Sequence, residues 1–178
     1  MIIDDNFLTD NNKKFIHHIT NTNKFPYYLS SKTITNDKNK TEMFTHSVIE
    51  RPDQRRNPNG YDTSKEYGDN VMDFLKQFTD KHQIRYNEVL RACINLTIHN
   101  SQAACSVHQD HDFPHHQLLI YLNDPSCKES RTVVLDDNNT NQLEVYPKQY
   151  RGLFFPSSPH YHYFPKHGTR IVAIFTFR

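Results

Sequence analysis

The chain has 178 residues, the length of a single domain with one hydrophobic core. Its formal net charge is +1 and 35% of its residues are apolar, with no lysine- or arginine-rich run and no apolar stretch of membrane-spanning length. This composition gives no electrostatic footprint for nucleic-acid binding and argues against a membrane span. The first ten residues lack the basic and apolar regions of a signal peptide, and the three cysteines are too widely spaced for a disulfide framework or a zinc ribbon. We therefore expect a protein of the reducing cytoplasm.

The first part of the chain predicts short strands and one helix. Thr9 or Asp10 can cap a helix that runs to about Thr20, because apolar residues recur along one face of it. Strands are predicted at residues 1–4, 25–31 and 42–50.

A loop and a second helix follow. Residues 51–61 contain two prolines and an Asn-Gly pair, which predict a loop. The helix is expected to begin near Thr63 or Ser64 and to end near Lys81, with its apolar residues at helical spacing. Three arginines in the loop are expected to be solvated: Arg51, Arg55 and Arg56.

After residue 82 the pattern changes to short apolar runs separated by turn residues. Eight such runs predict an antiparallel sandwich or barrel. They lie at residues 88–99, 106–110, 116–124, 131–137, 142–147, 151–156, 160–164 and 169–177. We expect one α+β domain over residues 1–178, with helical support in 1–82 packed outside a β core in 83–178.

Residues 106–116, SVHQDHDFPHH, hold four histidines and two aspartates. On a strand, His108 and Asp110 project to the same face and offer a mixed nitrogen and oxygen pair for a divalent first-row metal. A third ligand would complete the two-histidine, one-carboxylate face of a non-haem Fe(II) site. By itself the pair is also compatible with an ordinary polar surface. The other four side chains are expected to be solvated, near the mouth of the site: His111, Asp112, His115 and His116.

The C-terminal part of the chain supplies candidates for the rest of such a site. His160 and His162 share one face of a predicted strand, and Arg170 opens the apolar strand that follows. A buried arginine needs an anion, and its planar fork suits a carboxylate. That carboxylate could belong to a ligand or to a protein aspartate.

From residue 95 to the end, the sequence resembles the double-stranded β-helix, the jelly-roll or cupin-like core of the Fe(II)/2-oxoglutarate-dependent dioxygenases. The prolyl-hydroxylase-like branch and its short virus-encoded members are the most similar. Four motifs carry the resemblance: HQD at 108–110, IYLND at 120–124, FFPSSPHYHYFPKHGTR at 154–170, and LRACINL at 90–96.

The resemblance implies roles for individual residues. His108 and Asp110 would be the first two iron ligands. Arg170 would bind the distal carboxylate of 2-oxoglutarate, and the hydroxyl group of Tyr121 would contact the same carboxylate. Asn95, on the strand before the HQD motif, would line the cofactor pocket.

The third iron ligand is read from the closing motif. His160 lies ten residues before Arg170, the commonest spacing in the family, and we choose it, with His162 as the alternative ligand. Two further family positions are altered here. A pocket tyrosine is replaced by Ile98, with His99 as a candidate substitute, and Thr132 is what remains of a Gly-Gly-x-Thr turn.

The resemblance implies an enzyme that uses Fe(II), 2-oxoglutarate and O₂ to hydroxylate a substrate, releasing succinate and CO₂. By analogy the substrate is a peptidyl proline, with a free amino acid, a small metabolite or a modified nucleobase as alternatives. Two other classes stay open: a non-catalytic β-barrel module pinned by a metal, and a cupin-type metalloenzyme that does not use 2-oxoglutarate. No oligomeric state follows from the sequence.

Overall fold

A computed structural model describes residues 1–22, 24–30, 43–54, 65–124, 128–136, 138 and 142–178. Two helices and ten strands are present in this part of the chain, in an order that matches most of the predicted elements. They are β1 (Ile2–Asp4), α1 (Asp10–Asn21), β2 (Tyr28–Ser30), β3 (Met43–Ile49), α2 (Lys65–His82), β4 (Val89–Thr97), β5 (His116–Tyr121), β6 (Thr132–Leu135), β7 (Gln142–Val145), β8 (Gly152–Pro156), β9 (His160–His162) and β10 (Arg170–Phe177).

Helix α1 begins at the predicted cap. The Thr9 hydroxyl accepts a hydrogen bond from the Asn12 amide, and the Asn12 side chain accepts one from the Thr9 amide, so two otherwise unpaired amides are satisfied. Asn12 also donates to Asp73 of α2 at 2.8 Å, which joins the two helices. The predicted caps of α2, Thr63 and Ser64, lie outside the described residues. Neither described helix has the length and apolar character needed to cross a membrane.

The strands form two sheets in which every pairing is antiparallel. The large sheet has the order β1-β8-β5-β10-β4-β3-β2, and the small sheet has the order β7-β6-β9. Isolated bridges from Ala104 to Tyr163 and from His108 to His160 attach the segment before β5 to β9. The strand predicted at residues 106–110 is therefore wrong as a regular strand, because this segment pairs at single positions and then bends at Asp110.

The alternation of side chains along β10 separates the two faces of the large sheet. One face carries Ile171, Ala173, Phe175 and Phe177, which belong to the same buried cluster as apolar side chains of α1 and α2. The opposite face looks toward the small sheet and carries Arg170, Val172, Ile174 and Thr176. A second buried cluster fills part of the space between the sheets: Leu119, Tyr121, Val134, Val145, Leu153, Phe155 and Val172. Polar side chains on this inner face build the candidate site.

Candidate active site

Two of the predicted ligands are joined through their backbones. The His108 amide donates to the His160 carbonyl at 3.0 Å, and the His160 amide donates to the His108 carbonyl at 2.9 Å. Their imidazole rings lie with centroids 4.5 Å apart. The bridge thus brings together two residues that are far apart in the sequence.

Both imidazoles are held in the form that suits a metal ligand. The Nδ1 atom of His108 lies 2.9 Å from the Ser106 carbonyl, and Nδ1 of His160 lies 3.0 Å from the Ser158 carbonyl. Because a carbonyl only accepts hydrogen bonds, the neutral form of each ring carries its hydrogen on Nδ1 and leaves a lone pair on Nε2. Burial, reinforced by His108 and opposed by Asp110, lowers the pKa of His160 to about 4, so its ring is neutral near pH 7.

The carboxylate of Asp110 is buried beside the same rings. Its Oδ2 atom lies 3.8 Å from Nε2 of His160, while its Oδ1 atom accepts from Arg51 and, at 3.1 Å, from Arg91. Arg51 also donates to the Asp110 carbonyl at 2.7 Å. Burial raises the pKa of Asp110, but Arg91 and Arg51 outweigh burial and hold it far below its ordinary range. The carboxylate is therefore ionised.

Arg51 corrects the expectation that this arginine is solvated, since only 12% of its side chain is exposed. Its ion-pair partner, Asp110, lies 59 positions away in the sequence, so no local sequence pattern indicates the contact. Arg91 did carry a signal that sequence reasoning missed. Arg91 shares one face of β4 with Cys93, Asn95 and Thr97, because residues two apart on a strand point the same way. It therefore faces inward on a buried strand, as Arg170 does on β10. Arg55 and Arg56 lie outside the described residues.

The donor set fits a divalent metal of the iron class. Within the described ranges, no three His, Cys, Asp or Glu side chains form a ready-made metal cage. Instead, the Nε2 lone pair of His160 faces the Gln117 amide nitrogen at 3.3 Å, so Gln117 contacts the nitrogen that a metal would bind. Two imidazoles with free Nε2 atoms and one ionised carboxylate are nevertheless the ligands that such a metal uses.

The opposite end of the site is built around the Arg170 guanidinium. This residue is 2% exposed, and it donates to the Thr132 hydroxyl at 2.9 Å and to the Ser130 carbonyl at 3.2 Å. The Tyr121 hydroxyl lies 2.8 Å from the same Thr132 hydroxyl. Among the described residues no carboxylate pairs with Arg170, so its charge has no counter-ion within this part of the chain.

His162 and Asn95 lie between these two ends. The Nδ1 atom of His162 is 3.2 Å from the Cys105 thiol, and its buried Nε2 has no hydrogen-bond partner within the described part of the chain. Burial and the charge of Arg170 lower the pKa of His162 well below its ordinary value. Asn95 is buried and accepts a hydrogen bond from Thr45 at 2.8 Å.

One cavity joins the metal-binding end to the arginine end. Its lining includes both candidate third ligands, His160 and His162, together with Arg51, Arg91, Asn95, Thr97, Cys105, His108, Asp110, Gln117, Leu119, Thr132, Arg170 and Ile174. Tyr121 contacts Thr132, which lines the cavity, but is not itself among the lining residues. Ile98 and His99 are exposed, and His99 lines a separate groove, so the structure does not bring either of them into the cavity.

The remaining histidines after the HQD motif are less exposed than expected. His115 is 5% exposed, and Nε2 of His111 lies 2.8 Å from the Thr176 hydroxyl. His116 begins β5 and its ring contacts Phe154 and Phe177. The prediction of a solvated loop is therefore wrong for these three, because aromatic neighbours cover them. Asp112 is exposed as expected.

Comparison with solved structures identifies chains of the same fold. An oxidoreductase of the 2OG-Fe(II) oxygenase family from Burkholderia pseudomallei aligns with a TM-score of 0.74 and 11% identity, covering 99% of this chain and 84% of that one. The viral collagen prolyl hydroxylase of Paramecium bursaria Chlorella virus-1 aligns with a TM-score of 0.61 and 16% identity, covering 99% and 94%. A prolyl hydroxylase from Trichoplax adhaerens, in complex with a hypoxia-inducible-factor peptide fragment, aligns with a TM-score of 0.65 and 13% identity, covering 99% and 82%.

No protein-family model matches the sequence, and no curated protein matches it. The similarity is thus seen in the structures, because the sequence identities of 11–16% are too low for sequence comparison to find these proteins. The order and pairing of the strands agree with the motifs that prompted the resemblance. This chain has the fold of the 2OG-Fe(II) oxygenases, the double-stranded β-helix enzymes that its motifs resemble.

Proposed function

We propose that the protein is an Fe(II)- and 2-oxoglutarate-dependent dioxygenase that hydroxylates its substrate. The observation that carries this proposal is the buried guanidinium of Arg170, which has no protein carboxylate among the described residues and faces the same cavity as His108, Asp110 and His160. A buried cation of this kind requires an anion from outside the chain. A metal-pinned binding module would need neither this cation nor an open cavity beside the metal ligands.

His108, Asp110 and His160 would hold the iron through two Nε2 atoms and one carboxylate oxygen. When bound, iron and 2-oxoglutarate supply the oxidative decarboxylation that activates O₂ for insertion into a C–H bond. Arg170 would receive the distal carboxylate as a bidentate partner. Thr132 and Tyr121 hold that end of the site, because both hydroxyl groups lie within hydrogen-bonding range of each other. Leu119 and Ile174 contribute apolar surface to the cavity, which limits water around the reacting groups.

We prefer His160 to His162 as the third ligand because of its position. His160 pairs with His108 itself and its Nε2 lies 3.8 Å from Asp110, whereas His162 pairs with Cys105, three residues before His108. The free Nε2 of His162 faces the cavity, where it could donate a hydrogen bond to the bound oxoacid. Asn95 also lines the cavity and would contribute to the cofactor pocket.

The substrate is proposed by analogy to be a prolyl residue of a peptide. Two structures of the same fold are prolyl hydroxylases, and one of them holds a peptide fragment. In this chain an open groove lies beside the metal-binding end, lined by His108, Gln109, Asp110, Val107 and Phe113 among others. Val107 is 52% exposed there and offers an apolar surface to a bound chain.

The test is an anaerobic titration of 2-oxoglutarate into the Fe(II)-loaded protein, read from its visible charge-transfer band. The wild type should bind, Arg170→Ala should bind far more weakly, and Arg85→Ala, an exposed arginine outside the cavity, should bind like the wild type. Equal affinity in all three would mean that the oxoacid pocket lies elsewhere. Succinate release in air then separates an enzyme from a metal-pinned module, and turnover retained by Arg170→Ala would favour a cupin-type enzyme.

A further inference from the structure

We propose that the substrate of this site carries a carboxylate group, and that Arg51 and Arg91 receive it. This inference rests on the proposed function and goes beyond it, because it names the chemistry of the part of the substrate that enters the cavity. Prolyl peptides satisfy it only when an acidic side chain or a terminal carboxylate lies close to the reacting carbon.

The first observation is that two guanidinium groups share one carboxylate oxygen. Arg51 and Arg91 both donate to Oδ1 of Asp110, and within the described residues Asp110 is the acid with which both of them pair. The side chains of the two arginines are 12% and 14% exposed. Two largely desolvated cations on one anion leave a local excess of positive charge.

The second observation is that the proposed cofactors do not balance this excess. Asp110 must also serve the metal, which brings two positive charges to the same place. The proposed 2-oxoglutarate has two carboxylates, one for the metal and one for Arg170. Within the described ranges, Arg51 and Arg91 then have no buried carboxylate other than the one that serves the metal, and a further anion at this position would be attracted by both of them.

The position of Arg51 makes such an anion reachable from outside. Arg51 lines the inner cavity and also the open groove beside it. Asp53 and Asp112 line the same groove, but both residues are exposed, so solvent and salt screen their charges. We infer that the substrate points its carboxylate inward and leaves a neutral or cationic end at the rim.

A carboxylate fits these two side chains better than a point anion does. Each guanidinium is planar and presents paired donors at a spacing that matches two carboxylate oxygens. Arg51 already uses this geometry, since it spans the backbone carbonyl and the side chain of Asp110. If the arginines only fixed the orientation of Asp110, acids and their amides would bind the site equally well.

The experiment compares matched acids and amides on the full chain saturated with Mn(II) and 2-oxoglutarate, in which no turnover occurs. The probes are acetate with acetamide, and N-acetyl-L-proline with N-acetyl-L-prolinamide, titrated by calorimetry. In the wild type, each acid should bind about tenfold or more tightly than its amide, the ratio expected for one charge-assisted hydrogen bond. Arg51→Gln and Arg91→Gln should each remove most of this difference, whereas Arg85→Gln, with the same change of charge outside the cavity, should keep it.

Equal binding of acid and amide by the wild type, including binding of neither, overturns the proposal. An acid preference that survives in both arginine variants also overturns it. The wild-type comparison needs no variant, so it decides the matter even if one variant fails to fold. Failure of the proposed function is seen separately, as absence of 2-oxoglutarate binding before any probe is added.

Discussion

At the scale of single residues, Asn123 fixes the backbone on both sides of Arg170. Its side-chain nitrogen Nδ2 donates to the Thr169 carbonyl at 2.9 Å, and its side-chain oxygen Oδ1 accepts from the Ile171 backbone amide at 2.9 Å. The side chain thereby extends the contact of this segment with β10 to two residues beyond Tyr121, where β5 ends. The direction of the Arg170 side chain depends on this contact.

We expect Asn123→Ala to weaken 2-oxoglutarate binding by roughly tenfold, because two hydrogen bonds of about 1 kcal/mol each hold the backbone of Arg170. Asn123→Asp keeps the acceptor for Ile171 but loses the donor to Thr169, so its effect should be intermediate. The affinities are measured by the anaerobic titration, with thermal unfolding alongside. Equal loss of stability in both variants with unchanged affinity would show that Asn123 only stabilises the fold.

The two histidines of β9 should behave differently toward metal. His160→Ala removes the Nε2 atom that lies 3.8 Å from Asp110 and should abolish binding of Mn(II), whereas His162→Ala should retain it, since His162 pairs with Cys105 and not with His108. Calorimetric titration of Mn(II) into the two variants measures the difference. The reverse pattern would make His162 the third ligand.

His111 should make the metal-free protein sensitive to acid. Burial, reinforced by His115, lowers its pKa from 6.5 to about 4 in the folded state. Between these values the unfolded chain binds more protons than the folded chain, so the free energy of unfolding falls as the pH drops from 6.5 toward 4. The urea midpoint of the wild type should therefore fall between pH 7 and pH 5, and that of His111→Gln should fall less. Identical pH dependence of the two proteins would contradict this prediction.

At the scale of elements, the contact of β8 with the helical layer requires a glycine. A Cβ atom on Gly152 would lie 2.8 Å from Cε1 of Phe7 and 3.0 Å from Cε2 of Phe78. These two rings pack edge to face with centroids 5.0 Å apart. Residue 152 is therefore a point of close approach between the large sheet and these two rings.

Gly152→Ala should lower the free energy of unfolding by about 1–3 kcal/mol, since the added methyl group overpacks a closed core. Chemical denaturation measures the change. The double variant with Phe7→Leu, which removes part of the obstructing ring, should recover some of the loss. A fully stable single variant would mean that the Phe7 ring moves aside easily.

The sequence predicted these elements well where periodicity decides the outcome, and poorly where distant contacts do. The apolar run that forms β10 and the Thr9 cap of α1 are local patterns, and both appear in the structure. The exposure of Arg51 and of the histidines after the HQD motif was predicted wrongly. Arg51, His111 and His116 contact residues far away in the sequence, and their own surroundings in the chain look like those of a polar loop.

The site was predictable to a similar extent. A motif that is repeated across a family points to His108, Asp110 and Arg170, because their spacing follows from the strand order of the fold. Gln117 and Arg91 lie on the same inner face without belonging to any motif. Their presence there depends on strand register, which a single sequence does not specify.

At the scale of the whole molecule, charge is distributed unevenly beneath a formal net charge of +1. Arg51, Arg91 and Arg170 gather around one cavity, while Asp110 is the acid most deeply buried there. The acidic residues that offset these arginines in the net charge lie elsewhere. Asp5, near the start of the chain, is one of them and pairs with Lys148 and Arg151. The net charge of the chain therefore says little about the potential inside its cavity, which favours anions.

The reciprocal backbone bridge between His108 and His160 has a consequence for how the protein would exchange the proposed metal. The bridge is made by amides and carbonyls, so the spacing of the two imidazoles does not depend on an ion between them. We expect the His108 and His160 amides to exchange slowly with deuterium already in the metal-free protein. Bound Mn(II) should slow their exchange only slightly further. Fast exchange without metal would mean that the ion itself assembles the pair. If the two amides are already protected without metal, the His108–His160 pair would stay formed while the metal binds and dissociates. The rate of metal binding would then be set by access through the groove and not by refolding.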